Sequence, residues 1–121
     1  MSVFATVADR DRIEAEAAWA DRGLPVTLWQ FLSAVRERHG SRPAVSFQLL
    51  SDPGSRAETL TWDELAGRVT RAANLFRSLG VGEGDAVAYL LPNSTETVEV
   101  LLGGAVAGVV SPINPLLEPD Q

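Results

Sequence analysis

Residues 85–115 read DAVAYLLPNSTETVEVLLGGAVAGVVSPINP, and this stretch decides the fold class. The apolar run Ala86 to Leu91 has the length and composition of a fully buried strand. Pro92 and Asn93 stop it. Asn93 stands where an N-cap belongs, with Glu96 three residues later as in a capping box. Glu96 and Glu99 put negative charge in the first turns, where the helix dipole favours it. Val98, Leu101, Leu102, Ala105 and Val106 recur at helical spacing and predict the buried face. Gly108 ends the helix, Val109-Val110 opens a second strand, and Pro112 and Pro115 break that strand off. Strand, helix and strand at this length predict a βαβ unit with parallel strands and a right-handed crossover. A parallel pair needs cover on both faces, and these strands are too apolar for water on any side. The rest of the chain supplies only part of that cover.

Just upstream, residues 62–79 carry the most regular helical pattern. Leu65, Val69, Ala72, Phe76 and Leu79 make one apolar stripe, Thr61 and Glu64 make a capping box, and Gly80 stops the helix. Glu64 and Arg68 are spaced for an i,i+4 pair in the favoured order. Arg68, Arg71 and Arg77 are read as the solvated face of this helix rather than as a phosphate patch. Gly80, Gly82 and Gly84 spell G-x-G-x-G, but a dinucleotide fingerprint must follow a strand and open a helix. These glycines do the reverse and form an αβ turn. The strand-to-helix turn is Leu91 to Ser94, with no glycine to admit a phosphate. Gly103 and Gly104 are read as letting their helix approach a neighbour closely.

Further upstream, Pro43 to Leu50 and Glu58 to Thr61 predict a β-hairpin. Ser51-Asp52-Pro53-Gly54 supplies the turn, read as a solvated connection rather than a binding loop. Thr27 and Gln30 form another capping box, opening a helix with the stripe Leu28, Phe31, Leu32 and Val35 and with Gly40 at C′. His39, the only histidine, falls in its last turn with Arg36 and Arg38, which suits the helix dipole and needs no catalytic role. Residues 9–20 predict a weak surface helix on the thin stripe Ile13, Ala17 and Ala20. The expected organisation is therefore an N-terminal arm, residues 1–26, and one body, residues 27–121.

At 121 residues and 45% hydrophobic, the chain suits one core. A net charge of −6 without an arginine-rich patch disfavours non-specific nucleic-acid binding. The absence of cysteine excludes disulfides and thiolate metal sites. The N-terminus lacks the basic region and apolar core of a signal peptide, and no apolar run approaches the roughly 18 residues of a membrane span. A cytoplasmic location fits these features. All ten basic residues are arginine, and there is no lysine. Pro119 with Glu118 beside it reads as a helix start, so the chain is expected to be a piece of a larger protein.

The order of these signals resembles the N-terminal region of the adenylate-forming acyl-CoA synthetases. That family includes fatty-acyl-CoA and aryl-CoA ligases, luciferases and peptide-synthetase adenylation domains. The resemblance rests on Thr-Trp-x-Glu-Leu at Thr61 to Leu65, Leu79-Gly80-Val81-x-x-Gly84-Asp85, and Leu91-Pro92-Asn93-Ser94. It continues in a helix ending at Ala107-Gly108 and in Pro112-Ile113-Asn114-Pro115, and it covers residues 27–121. The run Ile113 to Pro119 looks most like bacterial synthetases of the fatty-acid type. The implied fold is α/β: an incomplete N-terminal part of the large domain, with a β-hairpin, amphipathic helices and one βαβ unit. The implied reaction joins a carboxylic acid to the α-phosphate of ATP, with Mg²⁺ assisting and pyrophosphate leaving. The thiol of coenzyme A then displaces AMP. Such chemistry uses a Gly/Ser/Thr-rich phosphate loop, positive charge, an acid for the metal and a C-terminal lysine.

None of those motifs is matched in this sequence. The resemblance therefore assigns it no catalytic, cofactor-binding or metal residue. Asn93, Ser94 and Asn114 stand at strand ends, where crevices form, but capping and turn roles account for them. ATP, Mg²⁺ and coenzyme A are expected to bind the parent enzyme and not this segment. The expected partners are a small carboxylic acid and the remainder of the same chain. The alternatives are a stand-alone α/β module that binds or dimerises through its open sheet edge, an aryl-CoA ligase, or an amino-acid adenylation domain.

Overall fold

The computed structural model describes residues 5–114 and 116. Chain order is α1 (Val7–Glu16), a 3-10 turn (Trp19–Arg22), α2 (Leu28–His39), β1 (Pro43–Phe47), β2 (Glu58–Thr61), α3 (Trp62–Ser78), β3 (Ala86–Tyr89), α4 (Thr95–Ala107) and β4 (Val109–Pro112). Strands β1 and β2 pair antiparallel, with Phe47 opposite Glu58 and Val45 opposite Leu60. Strands β3 and β4 pair parallel, with Ala86 opposite Val109 and Tyr89 opposite Pro112. The expected hairpin and βαβ unit are both present, as two separate two-stranded sheets. Helices α3 and α4 pack on each other between them, the hairpin against α3 and the parallel pair mainly against α4.

The start of α3 shows why the chain folds here. Thr61 accepts from the Glu64 amide at 3.3 Å, and Glu64 Oε2 accepts from the Thr61 amide at 2.8 Å. The next orphan donors are met from a distance: Trp62 N–H reaches the Arg42 carbonyl at 3.1 Å and Asp63 N–H the Gly40 carbonyl at 3.0 Å. Leu60 and Leu65 occupy the N′ and N4 positions of a hydrophobic staple, and both are in the core cluster with Leu32 and Val69. At the other end, Gly80 has φ +93°, Val81 N–H bonds the Phe76 carbonyl and Gly80 N–H the Arg77 carbonyl, each at 3.0 Å. This is a Schellman motif, and it requires the left-handed residue that glycine supplies.

Gly40 does not play that part. Its φ of −44° is right-handed. A Cβ there would stand 2.5 Å from Asp63 Oδ2, a side-chain end that can turn aside, and 3.0 Å from the Arg36 carbonyl oxygen. At Gly103 and Gly104 the reason is space. A Cβ on Gly103 would meet the Ala72 Cβ at 2.5 Å, and one on Gly104 would meet Val110 Cγ2 at 3.2 Å. Thus α4 lies close on α3 with one glycine and on the parallel sheet with the next.

Other boundaries differ from the sequence reading. Helix α1 begins at Val7 rather than at residue 9, because Thr6 and Asp9 form a capping box. It stops at Glu16, with Ala17 extended, and the arginine of the following turn closes its end. Arg22 Nη2 donates to the Ala17 carbonyl at 2.9 Å and also reaches the Ile13 carbonyl. The N-cap of α4 is Ser94, not Asn93: its Oγ accepts from the Thr97 amide at 3.3 Å. Strand β1 ends at Phe47 and β3 at Tyr89, each shorter than the apolar run that suggested it. The helix start expected at Pro119 and the break at Pro115 lie outside the described residues.

The stripes of α2 and α3 hold at their centres and drift at their ends, whereas α4 turns a different face inward: Gly103, Gly104 and Ala107 are buried, and Leu101 of the expected face is exposed. Leu65, Val69 and Leu32 are buried, but Leu79 is 72% exposed and Phe31 half exposed, while Ala66 and Ala73 are buried instead. Each expected stripe is wider than the neighbour it meets, so its ends find nothing to cover them. The outer face of the parallel pair is open too, with Val109 54% exposed and Leu90 beyond it also exposed.

Gly67, inside α3, is not needed for space. A Cβ there would meet only Arg71 Nη1, at 3.7 Å. Gly67→Ala is therefore expected to raise stability by roughly 0.5–1 kcal/mol, by helix propensity and a less free unfolded chain. A lower urea midpoint for this variant would contradict the packing described.

The caps also predict an acid response. The Thr61 amide and hydroxyl hold the Glu64 carboxyl below the ordinary glutamate range. The Thr6 hydroxyl and the Ala5 amide do the same for Asp9. A folded-state pKa below the unfolded one gives stability that is present above the unfolded value, about 4.3 for glutamate, and lost as pH falls through the folded value. Helicity and urea midpoint should therefore decline below about pH 4.5. Glu64→Gln keeps the box without its charge, and should flatten that decline in a pH series followed by circular dichroism.

Candidate functional site

The end of the parallel pair where β3 and β4 leave the sheet is the place to look, since ligands of open α/β sheets bind beyond the carboxyl ends of strands. Leu91 to Ser94 turns the chain there into α4. Ser94 caps the helix, its Oγ lies 3.2 Å from Thr97 Oγ1, and Thr97 Oγ1 also donates to the Pro92 carbonyl. The Glu96 carboxyl lies below its ordinary range, drawn down by its own backbone N–H and then by the Ser94 hydroxyl. Beyond β4, Asn114 Oδ1 accepts from the Leu116 amide at 3.0 Å. The side chains of Ser94 and Asn114 thus serve the backbone, and Asn93 is exposed at the turn.

Beside this turn lies a polar network that local sequence does not announce. Thr95, the first residue of α4, is 1% exposed and is the buried polar residue of the described chain. Its hydroxyl donates to Glu58 Oε2 on β2 at 2.8 Å. Arg68 of α3 meets Glu99 of α4 at 2.7 Å and Glu58 at 3.6 Å. The hydrogen bond to Glu99 raises the Arg68 pKa further, so the guanidinium stays charged. The expected Glu64–Arg68 pair does not form as an ion pair. Glu64 is committed to the Thr61 cap, and Arg68 turns to carboxylates 31 residues ahead and 10 behind.

A small cleft of about 210 Å³ separates this turn from the hairpin, lined by Val45, Phe47, Asn93, Ser94, Thr97 and Val98. A larger one, about 500 Å³, opens at the far end of α3 between Thr27, Trp29, Arg77, Glu83 and Val106. Arg77 Nη2 there donates to the Val106 carbonyl at 3.2 Å, at the carboxyl end of α4. Arg68 and Arg77 are thus held by different partners, Arg71 is exposed, and the three do not join in an anion site. His39 is exposed at the end of α2. Gly82 N–H bonds Asp85 Oδ2 at 2.8 Å inside the α3–β3 connection, which follows a helix and precedes a strand. The Asp52 turn closes on itself, with Ser55 N–H on the Asp52 carbonyl at 2.9 Å.

A nucleotide and its divalent metal would need a phosphate cradle, a cation and a set of acids. The chain has no lysine, and no three His, Cys, Asp or Glu residues among the described ones are grouped to hold a metal ion. No helix among the described residues is long and apolar enough to cross a membrane.

Comparison with known proteins agrees with the architecture. Residues 32–121 match the family described as AMP-binding enzyme. The acetoacetyl-coenzyme A synthetase of Rhizobium meliloti is 34% identical over 89 residues, which make up 74% of this chain and 13% of that protein. Surfactin synthase subunit 1 of Bacillus subtilis is 29% identical over 126 aligned residues, covering 100% of this chain and 3% of that one. Among solved structures, a Mycobacterium tuberculosis fatty acyl CoA synthetase superposes with a TM-score of 0.59 at 26% identity, over 75% of this chain and 17% of that one. The chain therefore spans a small fraction of each of these proteins.

Proposed function

Because this chain belongs to the AMP-binding enzyme family, we propose that it forms the N-terminal part of an ATP-dependent acid–CoA ligase. In this reading the whole enzyme converts a carboxylic acid to an acyl-adenylate and then to a coenzyme A thioester, using ATP, Mg²⁺ and coenzyme A. The family match over residues 32–121 carries the proposal, and the 13% share of the Rhizobium synthetase supports reading the chain as one part of a longer protein. The arm, residues 1–26, precedes the part that continues into that protein. The substrate we assign is a fatty acid, supported by the likeness to the mycobacterial fatty acyl CoA synthetase. The cytoplasm, where ATP and coenzyme A are both at hand, is the assigned location.

The role of these residues is scaffolding. They supply two sheets and the α3–α4 pair, and they present the open face around Val109 and Leu90 to the remainder of the enzyme. The 121-residue chain alone is accordingly expected to be inactive. ATP–pyrophosphate exchange, run on the chain alone and on the longer protein with acetate, acetoacetate, long-chain fatty acids and amino acids, tests both statements. Fatty-acid-dependent exchange in the longer protein followed by thioester formation supports the reading. Exchange by the short chain alone would refute the scaffolding role. A second reading, an amino-acid adenylation domain, is favoured by one observation: the surfactin synthase alignment runs the whole length of this chain, arm included. Exchange with amino acids and no thioester of coenzyme A would select it.

A further inference from the structure

We propose that the distal half of the β1–β2 hairpin is a flap, latched over the first turn of α4 by Thr95, Glu58 and Arg68, and that releasing the latch opens the cleft at the carboxyl end of β3. The inference concerns this chain alone and holds whichever acid the enzyme activates.

The two ends of the hairpin are held in different ways. At its base, Leu60 is buried in the core cluster, and Ala44 and Val45 pack against that cluster. There Trp62 and Asp63 also bond back to the Arg42 and Gly40 carbonyls. At its far end, Phe47 pairs with Glu58, and beyond them the loop carries Leu49 and Leu50 exposed to solvent. The polar tie between this end and the helices is Glu58: its Oε2 accepts from Thr95 at 2.8 Å, and its Oε1 faces Arg68 at 3.6 Å. Arg68 is itself fixed at 2.7 Å to Glu99 and stays in place whether or not Glu58 is there.

The two partners in the latch differ in their access to water. The Glu58 side chain is 47% exposed and recovers hydration when it swings out. Thr95 is 1% exposed, and its hydroxyl is left unpaired unless water enters behind the departing strand. Opening and wetting of the cleft between Phe47 and Ser94 therefore go together. The Ser46–Thr59 hydroxyl contact at 2.9 Å is exposed to water, so the distal strand pairs fray open once the latch is gone. The flap is thus a local unit whose opening leaves Leu60, Leu65 and Val69 in place.

Peptide-level hydrogen–deuterium exchange on the 121-residue chain tests this. Thr95→Val keeps the shape and removes the hydroxyl. It should raise exchange across residues 46–58 by about tenfold, with α3 unchanged, and Thr95→Ser should restore the original protection. Arg68→Met should raise exchange in the same segment by a smaller factor, because the Glu58 contact is the longer one. Equal acceleration in α3 and the hairpin would overturn the proposal, since the network would then be part of global stability. So would unchanged exchange over residues 46–58, or a Thr95→Ser variant that behaves like Thr95→Val.

Discussion

Leu65→Ala is expected to cost this chain about 2–5 kcal/mol, a large share of the roughly 5–15 kcal/mol of an ordinary domain. Leu65 is 2% exposed and shares a cluster with Leu32, Leu60 and Val69. It is where three elements meet: α2 brings Leu32, β2 brings Leu60, and α3 brings Leu65 and Val69. Truncation loses the transfer energy of the removed methyl groups and leaves a cavity among elements that cannot all close on it. It also removes the N4 half of the staple that sets how β2 enters α3. Leu79→Ala, on the same stripe but 72% exposed, should change the urea midpoint little. Equal losses for the two leucines would mean that the core is not where these contacts place it.

Gly103→Val is expected to destabilise by roughly 3 kcal/mol, or to prevent folding, by forcing α3 and α4 apart. The Cβ alone would lie 2.5 Å from the Ala72 Cβ and 3.2 Å from the Ala73 backbone nitrogen. Backbone cannot turn aside as the end of a long side chain can, so the helices must separate. That separation disturbs the Arg68–Glu99 bridge and the seating of Gly104 on Val110 and Val87. Gly103→Ala sets helix propensity against the same clash, and should still be destabilising. The contrast with Gly67→Ala is the sharper test, because both glycines lie inside helices and only one meets a neighbour. Thermal melts of the two alanine variants should move in opposite directions. Melts that both rise would show that α4 does not approach α3 as described.

Much of this fold is written locally. The Thr27–Gln30 and Thr61–Glu64 boxes were legible because a capping box is made by residues three apart. The Gly80 stop was legible because a Schellman motif needs a left-handed residue at a fixed place. The Gly80, Gly82 and Gly84 pattern is no dinucleotide signature on chain order alone, because it follows a helix and precedes a strand. The start of α4 was misplaced by one residue, since Asn93 and Ser94 are both good caps and only backbone geometry chooses between them.

By itself, then, the sequence determined the order and kind of the elements, the parallel strand–helix–strand unit, the centres of the α2 and α3 stripes and the family likeness. All of these depend on residues near one another in the chain. The tertiary structure alone decided that Arg68 turns from Glu64 to Glu99 and Glu58, and that Thr95 closes on Glu58 across the hairpin. It alone decided that Gly108 is a glycine for lack of room, as a Cβ there would stand 2.5 Å from the Asp85 carbonyl oxygen, and that the neighbour Gly103 approaches is Ala72. The physical reason is common to these cases. A long side chain takes whichever partner the folded backbone brings within reach, and a missing Cβ records a close approach between segments distant in sequence.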